Sequence, residues 1–343
     1  MAQDSGTTVT PLATGGIIPA THATLRADAL LAEVARAYDL GPPRSCALHR
    51  AYANDVYRAD LGAERYLVKV YRAGWRSPSE VAYEVALLAH LDRRGVAVAP
   101  ALPRRDGGLV GTLRAPEGPR PYILFALAQG SHPVPPFTPD LYGRFGRATA
   151  LMHRAAADFT TPHPRAPLDL AHFLDRPLAA VRPWLVDRPD DWRTLVAVAE
   201  AVRAHVAAHA VALDWGPCHG DLSLDNLHAT ATGDIILFDF DSGGPGWRAA
   251  DPYGVYRYAR GGPEDLWAAF LDGYRAVRPF GAREVAAVPY FAAAQALQHL
   301  GHRVVNWVAW GGAALAGPTY WDREMGALRR WARDEGLLTA RSV

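Results

Sequence analysis

His219-Gly220-Asp221 is followed five residues after the aspartate by Asn226, and thirteen residues later by Asp239-Phe240-Asp241. A carboxylate on a polar, glycine-containing loop can accept the proton of a hydroxyl group. An asparagine amide oxygen further round the same loop is a hard oxygen donor. So is a carboxylate delivered by a short buried strand, and Ile235–Phe238 has that pattern ahead of Asp239. Mg²⁺ prefers such ligands and keeps waters and phosphates as its other partners. Asn226 and Asp239 suit it, with Asp241 placed to assist. The spacing is that of a phosphoryl-transfer site, with Asp221 as the catalytic carboxylate.

A second signal lies in a count. Of 36 basic residues, 35 are arginine and one, Lys69, is lysine; asparagine occurs only at 54, 226 and 306. A genome biased against Lys and Asn codons produces such a chain. A lysine retained against that bias is a candidate for chemistry that arginine cannot do, because an ammonium is a compact point charge and a guanidinium a planar fork.

These residues need elements to hold them. Tyr66–Tyr71 is strongly β-prone and carries Lys69; strand-like runs at 45–52 and 56–61 precede it. Ser77-Pro78-Ser79-Glu80 opens a helix with Ser77 as N-cap, Val81, Val85, Leu88 and Leu91 on one face, and an end near Gly95. Further strands are expected at 109–114 and 122–128, and a short helix from about Leu30 to Tyr38. Gln129–Pro139 contains four prolines and reads as a linker. Beyond it helical patterns dominate, at 140–157, 168–181, 190–209 and from Asp251 onward, around one strand-rich island between His209 and Asp251. Residues 1–25 lack periodicity and read as a flexible tail. The expected organisation is a β-rich N-lobe over 26–128 and a larger helical C-lobe over 129–343.

With those elements in place, the sequence resembles the aminoglycoside phosphotransferase/choline kinase superfamily, which shares the protein-kinase-like α+β two-lobed fold. The resemblance covers roughly residues 45–335, and the tail from Phe270 through Tyr320-Trp321-Asp322 is most similar to the homoserine-kinase-type and bacterial stress-response-kinase branches. It implies that Lys69, oriented by Glu84 of the following helix, holds the α- and β-phosphates of ATP. It implies that Asn226 and Asp239 hold Mg²⁺, that Tyr122–Gln129 supplies the backbone that bonds adenine, and that Asp251 braces the catalytic loop. Leu151-Met152-His153 matches a helix at the start of the large lobe. The chain departs from the wider fold in two places. Where a glycine-rich loop covers the phosphates, it reads Arg50-Ala-Tyr-Ala-Asn54-Asp-Val-Tyr57, so no phosphate contact is assigned there. Position 220 is Gly, as in this superfamily, and not the Arg of most protein kinases, so activation-loop phosphorylation is not implied.

Other readings are weaker. His219 reads as a structural residue of its loop. Cys218 reads as a buried strand residue, since its one potentially cationic sequence neighbour is His219. His299 and His302 show no metal-ligand pattern, and Trp307, Trp310 and Trp321 read as helix-packing residues. Asp241-Ser242-Gly243-Gly244-Pro245 copies the nucleophile segment of trypsin-like proteases, but no matching base segment accompanies it. Lys69 follows Val68, not Gly, which excludes a P-loop.

Composition bounds the remainder. The chain has 343 residues, half of them apolar and 21% charged, which excludes global disorder. A formal net charge of +1 gives no support to nucleic-acid binding. Two distant cysteines, 46 and 218, exclude a disulfide framework and fit a reducing, cytoplasmic compartment. The first twenty residues do not read as a signal peptide, and the apolar stretch at 304–317 is too short to span a membrane. From Tyr253 to Val343 there are 11 Arg against 8 Asp plus Glu. That balance disfavours a polycationic aminoglycoside as acceptor and favours a small-molecule hydroxyl, with or without a carboxylate, or a Ser/Thr side chain in a peptide. An antibiotic kinase and a non-catalytic ATP-binding regulator are the alternatives.

Overall fold

Alternation along three consecutive strands builds the small lobe and aims its lysine. In the computed structural model, which describes residues 20–260, 265–306 and 317–338, these are β1 (Pro43–Ala51), β2 (Asn54–Leu61) and β3 (Glu64–Tyr71). With β4 (Gly111–Ala115) and β5 (Gly118–Ala126) they form an antiparallel sheet in the order β1-β2-β3-β5-β4. On β3 the side chains of Tyr66, Val68 and Val70 point to one face. There they pack with Leu30, Val34 and Tyr38 from helix α1 (Ala27–Ala37) and its C-cap. Lys69 and Tyr71 point to the other face because successive side chains of a strand alternate. That face is covered by α2 (Pro78–Arg93), whose Val81 and Val85 bury against Tyr71 and Ile123. Each fully buried aliphatic side chain of this kind contributes about 1.5–3 kcal/mol.

Helix α2 starts as its sequence requires. The Glu80 amide donates to Ser77 Oγ at 3.3 Å, and the Ser77 amide donates to Glu80 Oε2 at 2.9 Å, a reciprocal capping box. Glu84 lies one turn beyond Glu80, on the buried side between Val81 and Leu88.

The tail expected over residues 1–25 does not hold at its end. Residues 1–19 lie outside the described residues, but Ala23 is docked: its amide donates to Glu117 at 3.1 Å and its carbonyl accepts from Arg120 at 2.9 Å. Arg120 is fully buried and pairs with Asp55 at 2.6 Å. A composition rich in Thr, Gly and Pro carries no signal for such a contact, which depends on partners about a hundred residues away.

Residues 127–138 connect the lobes, and Ser131 exchanges two backbone hydrogen bonds with Ala229. The larger lobe follows with α3 (Pro139–Ala155), α4 (Arg176–Val181) and α5 (Pro189–His209). After the strand island come α6 (Tyr253–Ala259), α7 (Leu266–Arg275), α8 (Ala282–Val305) and α9 (Pro318–Asp334). Helices α3 and α7 cross at glycines: a Cβ on Gly146 would lie 1.9 Å from the Phe270 carbonyl oxygen, and one on Gly273 would lie 1.8 Å from that of Gly143. Trp321 is buried in this lobe, as a packing residue; Trp307 and Trp310 lie outside the described residues.

One expectation is corrected here. The helix expected over 168–181 begins later, with a π-type turn at Ala171–Asp175 and α4 after it. Leu168 instead donates its amide to Pro245 at 2.8 Å, and the Asp169 carboxylate accepts the His172 amide at 2.9 Å and so starts the turn. Among the described residues, Pro189–Ala212 is long and apolar enough by length and composition alone to cross a membrane. Its Leu195, Val198, Ala199, Val202 and Val206 recur at helical spacing and bury in the C-lobe core.

The island itself is two small hairpins. β6 (Trp215–Cys218) pairs with β9 (Gly244–Trp247), and β7 (Leu227–Ala229) pairs with β8 (Ile235–Leu237). Asn226 precedes β7 and Asp239 follows β8, so the second hairpin brings both to its same end; the Phe238 amide donates to the Asn226 carbonyl at 3.1 Å.

Candidate active site

Lys69 sits between two carboxylates. Its Nζ lies 2.9 Å from Glu84 Oε1 and 2.8 Å from Asp239 Oδ1. The pair to Glu84 is almost wholly buried, at 5% and 1% residue exposure. Tyr71 Oη donates to the other Glu84 oxygen at 2.5 Å. Burial disfavours the ammonium, yet Asp239 and Glu84 together hold the Lys69 pKa well above its ordinary value. Burial pushes Glu84 upward, against the pull of Lys69. The alternation that turns Lys69 away from the α1 face therefore places its charge at the junction of the two lobes.

Asp221 has both oxygens engaged. Asn226 Nδ2 donates to Oδ2 at 3.0 Å and also to the Asp221 carbonyl at 2.9 Å. Tyr253 Oη donates to Oδ1 at 3.1 Å. Sequence reading missed Tyr253. It follows Asp251-Pro252 at the start of α6 and belongs to no motif that would single it out. Gln295 Nε2 and Tyr253 Oη both lie within 3.5 Å of His299 Nε2, which backs the tyrosine from α8.

The loop bearing Asp221 is braced as the resemblance implies. Asp251, buried, accepts the His219 amide at 2.8 Å, the Gly220 amide at 2.7 Å and His153 Nε2 at 2.9 Å. His153 comes from α3, and its Nδ1 meets Tyr274 Oη of α7 at 2.8 Å, so two helices back the residue that holds the turn. The ligand atoms of His153, Cys218 and Asp251 fall within 4.8 Å of one another. Asp251 and His153 are already bonded as described, and the Cys218 thiol, its pKa pushed well up by burial, donates to the Gly216 carbonyl at 3.4 Å. The cluster is a brace. His219 is structural too: its Nε2–H donates to the Phe238 carbonyl at 3.0 Å and its Nδ1 accepts the Asp221 amide at 3.3 Å. Gly220 has φ +80°, and a Cβ there would lie 2.1 Å from the Ser242 carbonyl oxygen, so an arginine at 220 has no room.

Asp239 has φ 63° and ψ 61°, a left-handed conformation. Such strain in a non-glycine residue is held only where the surroundings over-determine it. Here Lys69 holds Oδ1, and Arg50 Nη2 reaches Oδ2 at 3.2 Å. Burial opposes the Asp239 charge, but Lys69 outweighs it and the pKa stays below the ordinary carboxylate value.

Asp241 does not stand where the sequence reading puts it. Rather than assisting a metal, its Oδ1 accepts Arg76 Nε at 2.8 Å, and its Oδ2 accepts Trp75 Nε1 at 2.9 Å and Asn54 Nδ2 at 3.0 Å. Its backbone carbonyl accepts from Arg165, which also bonds the Glu80 carbonyl. Against burial, Lys69 and Arg76 hold the Asp241 carboxyl far below its usual range. Two residues past Asp239, the chain has entered the 3₁₀ turn Phe240–Ser242, which aims this side chain at the loop between β3 and α2.

The donors left for a divalent cation are Asp239, an ionised and partly exposed carboxylate, and Asn226, whose amide nitrogen is committed to Asp221 and whose oxygen is the atom remaining. Both are hard oxygen ligands at one end of one hairpin, and they fit Mg²⁺. Arg50, Asn54, Trp75 and Arg76 contribute to the site and were invisible as site residues in the sequence, because their roles depend on where the β1–β2 turn and the β3–α2 loop meet the other lobe.

A five-stranded lobe with a buried Lys–Glu pair, set on a helical lobe that carries the Asp-x₄-Asn loop, defines the protein-kinase-like class of phosphotransferase folds. Residues 23–288 match the phosphotransferase enzyme family, and the chain belongs to it. It is similar to an uncharacterized protein of Deinococcus radiodurans, 40% identical over 325 residues that span 93% of each chain. It is also similar to a homoserine kinase of Azorhizobium caulinodans, 27% identical over 303 residues that cover 84% of this chain and 89% of that one. Among solved structures, an amicoumacin kinase in complex with AMP-PNP and Ca²⁺ shares the fold at TM-score 0.72 and 19% identity, covering 90% of this chain and 92% of that one. A microcompartment-associated aminopropanol kinase shares it at TM-score 0.68 and 21% identity, covering 91% and 99%.

Proposed function

We propose that this chain transfers the γ-phosphoryl group of ATP, taken as its Mg²⁺ complex, to the hydroxyl of a small metabolite that carries a carboxylate. The observation that supports it most is the Lys69 ammonium held between Glu84 and Asp239, with Asp221 ordered by Tyr253 and Asn226 on the loop beside it. Lys69 binds phosphate oxygens, and Glu84 fixes its direction. Asn226 and Asp239 hold the magnesium ion, which neutralises charge on the phosphate oxygens when bound. Asp221 orients the acceptor hydroxyl and takes its proton late in a loose transition state, so positioning and charge supply most of the acceleration. The segment 122–129, the end of β5 and the start of the linker, offers its backbone to adenine.

Two observations support a carboxylate on the acceptor. From Tyr253 to Val343 the chain carries 11 Arg against 8 Asp plus Glu. Relatives that include homoserine kinases of Azorhizobium and Rhizobium align over most of the chain. The two free cysteines support a cytoplasmic setting. A screen with labelled ATP across hydroxy amino acids, amino alcohols without a carboxylate, aminoglycosides and Ser/Thr peptides tests this reading. Label should pass to the first group. Transfer to aminoglycosides or peptides instead refutes the acceptor class, and Mg·ATP binding with no transfer to any acceptor replaces the kinase with a nucleotide-binding regulator.

A further inference from the structure

The turn between β1 and β2 lies where the fold covers the nucleotide phosphates, yet it is not built to cradle them by its backbone. A backbone anion cradle needs successive N–H groups turned to one side, which requires a residue of left-handed φ next to a right-handed one. Tyr52 and Ala53 form the tip, and neither has positive φ; among the described non-glycine residues only Asp239 does. The Tyr52 amide is already donated to the Asn54 carbonyl at 3.1 Å. The turn therefore has no nest of amides to offer.

It offers a side chain instead. Arg50, the last residue but one of β1, reaches across the cleft so that Nη2 lies 3.2 Å from Asp239 Oδ2. Asn54, at the other end of the turn, is tied down through Asp241, which fixes the turn's height above the cleft. Asp239 is thus flanked by Lys69 on one oxygen and by Arg50 on the other. Lys69 is buried and locked by Glu84, whereas the Arg50 side chain is 55% exposed and has no other ion pair in the described residues.

We propose that Arg50 is the phosphate-covering residue of this protein, a guanidinium that takes the place of the missing glycine-rich backbone contacts and binds the terminal phosphates of a nucleoside triphosphate. The inference rests on the ATP reading above and deepens it. Without nucleotide, Arg50 neutralises Asp239. When the triphosphate brings its negative charge and a divalent cation into the cleft, Asp239 turns to the cation and Arg50 turns to phosphate oxygens, whose geometry suits the planar fork. No bond is made or broken in this exchange; one ion pair replaces another.

The inference distinguishes Arg50 from every group that binds the adenosine end, so the number of phosphates is the readout. Calorimetric dissociation constants for ATP, ADP, AMP and adenosine, with Mg²⁺, are to be measured for the wild type, Arg50→Gln and Arg50→Lys. A charge-assisted contact at a half-exposed site corresponds to roughly a tenfold effect. Arg50→Gln should weaken ATP by about ten-fold or more, ADP by less, and AMP and adenosine by less than twofold. Arg50→Lys should recover part of the ATP loss, and the wild-type advantage should shrink as salt is raised. ATP affinity unchanged in Arg50→Gln overturns the inference, as does an equal loss for all four ligands, which marks Arg50 as a structural prop of the turn. Wild-type protein that binds none of the four overturns the ATP reading and this inference with it.

Discussion

Lys69→Met removes one ammonium and keeps the length of the side chain, and the structure says what is left behind. Glu84 is 1% exposed and keeps only the Tyr71 hydroxyl among the two groups that now hold its carboxylate. Removing one member of a buried ion pair costs about 3–5 kcal/mol, because the survivor is a buried, uncompensated charge. The lower end applies, since Tyr71 still donates and Asp239 is partly exposed. The expected loss is about 3 kcal/mol in urea unfolding at pH 7.5. Glu84→Gln in the same background removes the orphaned charge and should recover most of that loss, while leaving Mg·ATP affinity as poor as in Lys69→Met alone.

Acid separates the mechanism from simple loss of packing. Burial already raises the Glu84 pKa, and removing Lys69 takes away the main opposite charge that holds it down. A carboxyl with a raised folded-state pKa binds protons more tightly folded than unfolded. The penalty is therefore present at high pH and fades as pH falls from the folded pKa toward the unfolded value near 4.5. The deficit of Lys69→Met relative to wild type should shrink between pH 7.5 and pH 5.5, and that of Lys69→Met/Glu84→Gln should not change. A deficit that is identical at both pH values and untouched by Glu84→Gln refutes the reasoning, and so does a Lys69→Met protein as stable as wild type.

Three further outcomes follow from the site. Asp221→Asn should leave Mg·ATP affinity within a few-fold of wild type by calorimetry and slow single-turnover transfer by about 10²–10⁴-fold; transfer at the wild-type rate refutes its assignment. Tyr253→Phe deletes the 3.1 Å donor to Asp221 and should lower kcat by roughly ten-fold with ATP affinity and unfolding midpoint little changed, whereas a change in ATP affinity alone contradicts the positioning role. His172, its pKa lowered to about 4 chiefly by burial, stays unprotonated when folded while the unfolded chain titrates near 6.5. Stability should thus fall as pH drops from 6.5 to about 4, by up to about 3 kcal/mol from this group, and His172→Gln should flatten that part of a urea-midpoint profile.

The small lobe was legible because its signals are local. The β-prone run around Lys69, the Ser77-Pro78-x-Glu80 start of α2 and the apolar face that carries Glu84 each show in a window of a few residues, and the strand and helix form as read. Asp251 on the loop amides also matches its expectation. What escaped was decided by distance in the chain. Asp241 looks like a metal neighbour next to Asp239, but a 3₁₀ turn and three groups more than 160 residues away claim its oxygens. Tyr253 acts through a hydroxyl that only the folded path from Asp251 brings to Asp221. The break at Leu168 reflects a strand-like contact with Pro245, which competes with helix propensity and leaves no mark in periodicity.

The Asp241 carboxylate gathers Asn54, Trp75 and Arg76 from the small lobe, while its carbonyl takes Arg165 from the large one, and Ser79 reaches the Pro164 carbonyl nearby at 3.1 Å. The knot ties the lobes on the free protein, across the cleft from the linker. Hinged enzymes that rest open lose affinity in proportion to how rarely they visit the closed state. The Asp241 contacts work against such opening, because parting the lobes here would uncover a carboxylate that three small-lobe donors and burial now hold. An ion pair buried in this way resists added salt better than the exposed Arg50–Asp239 pair.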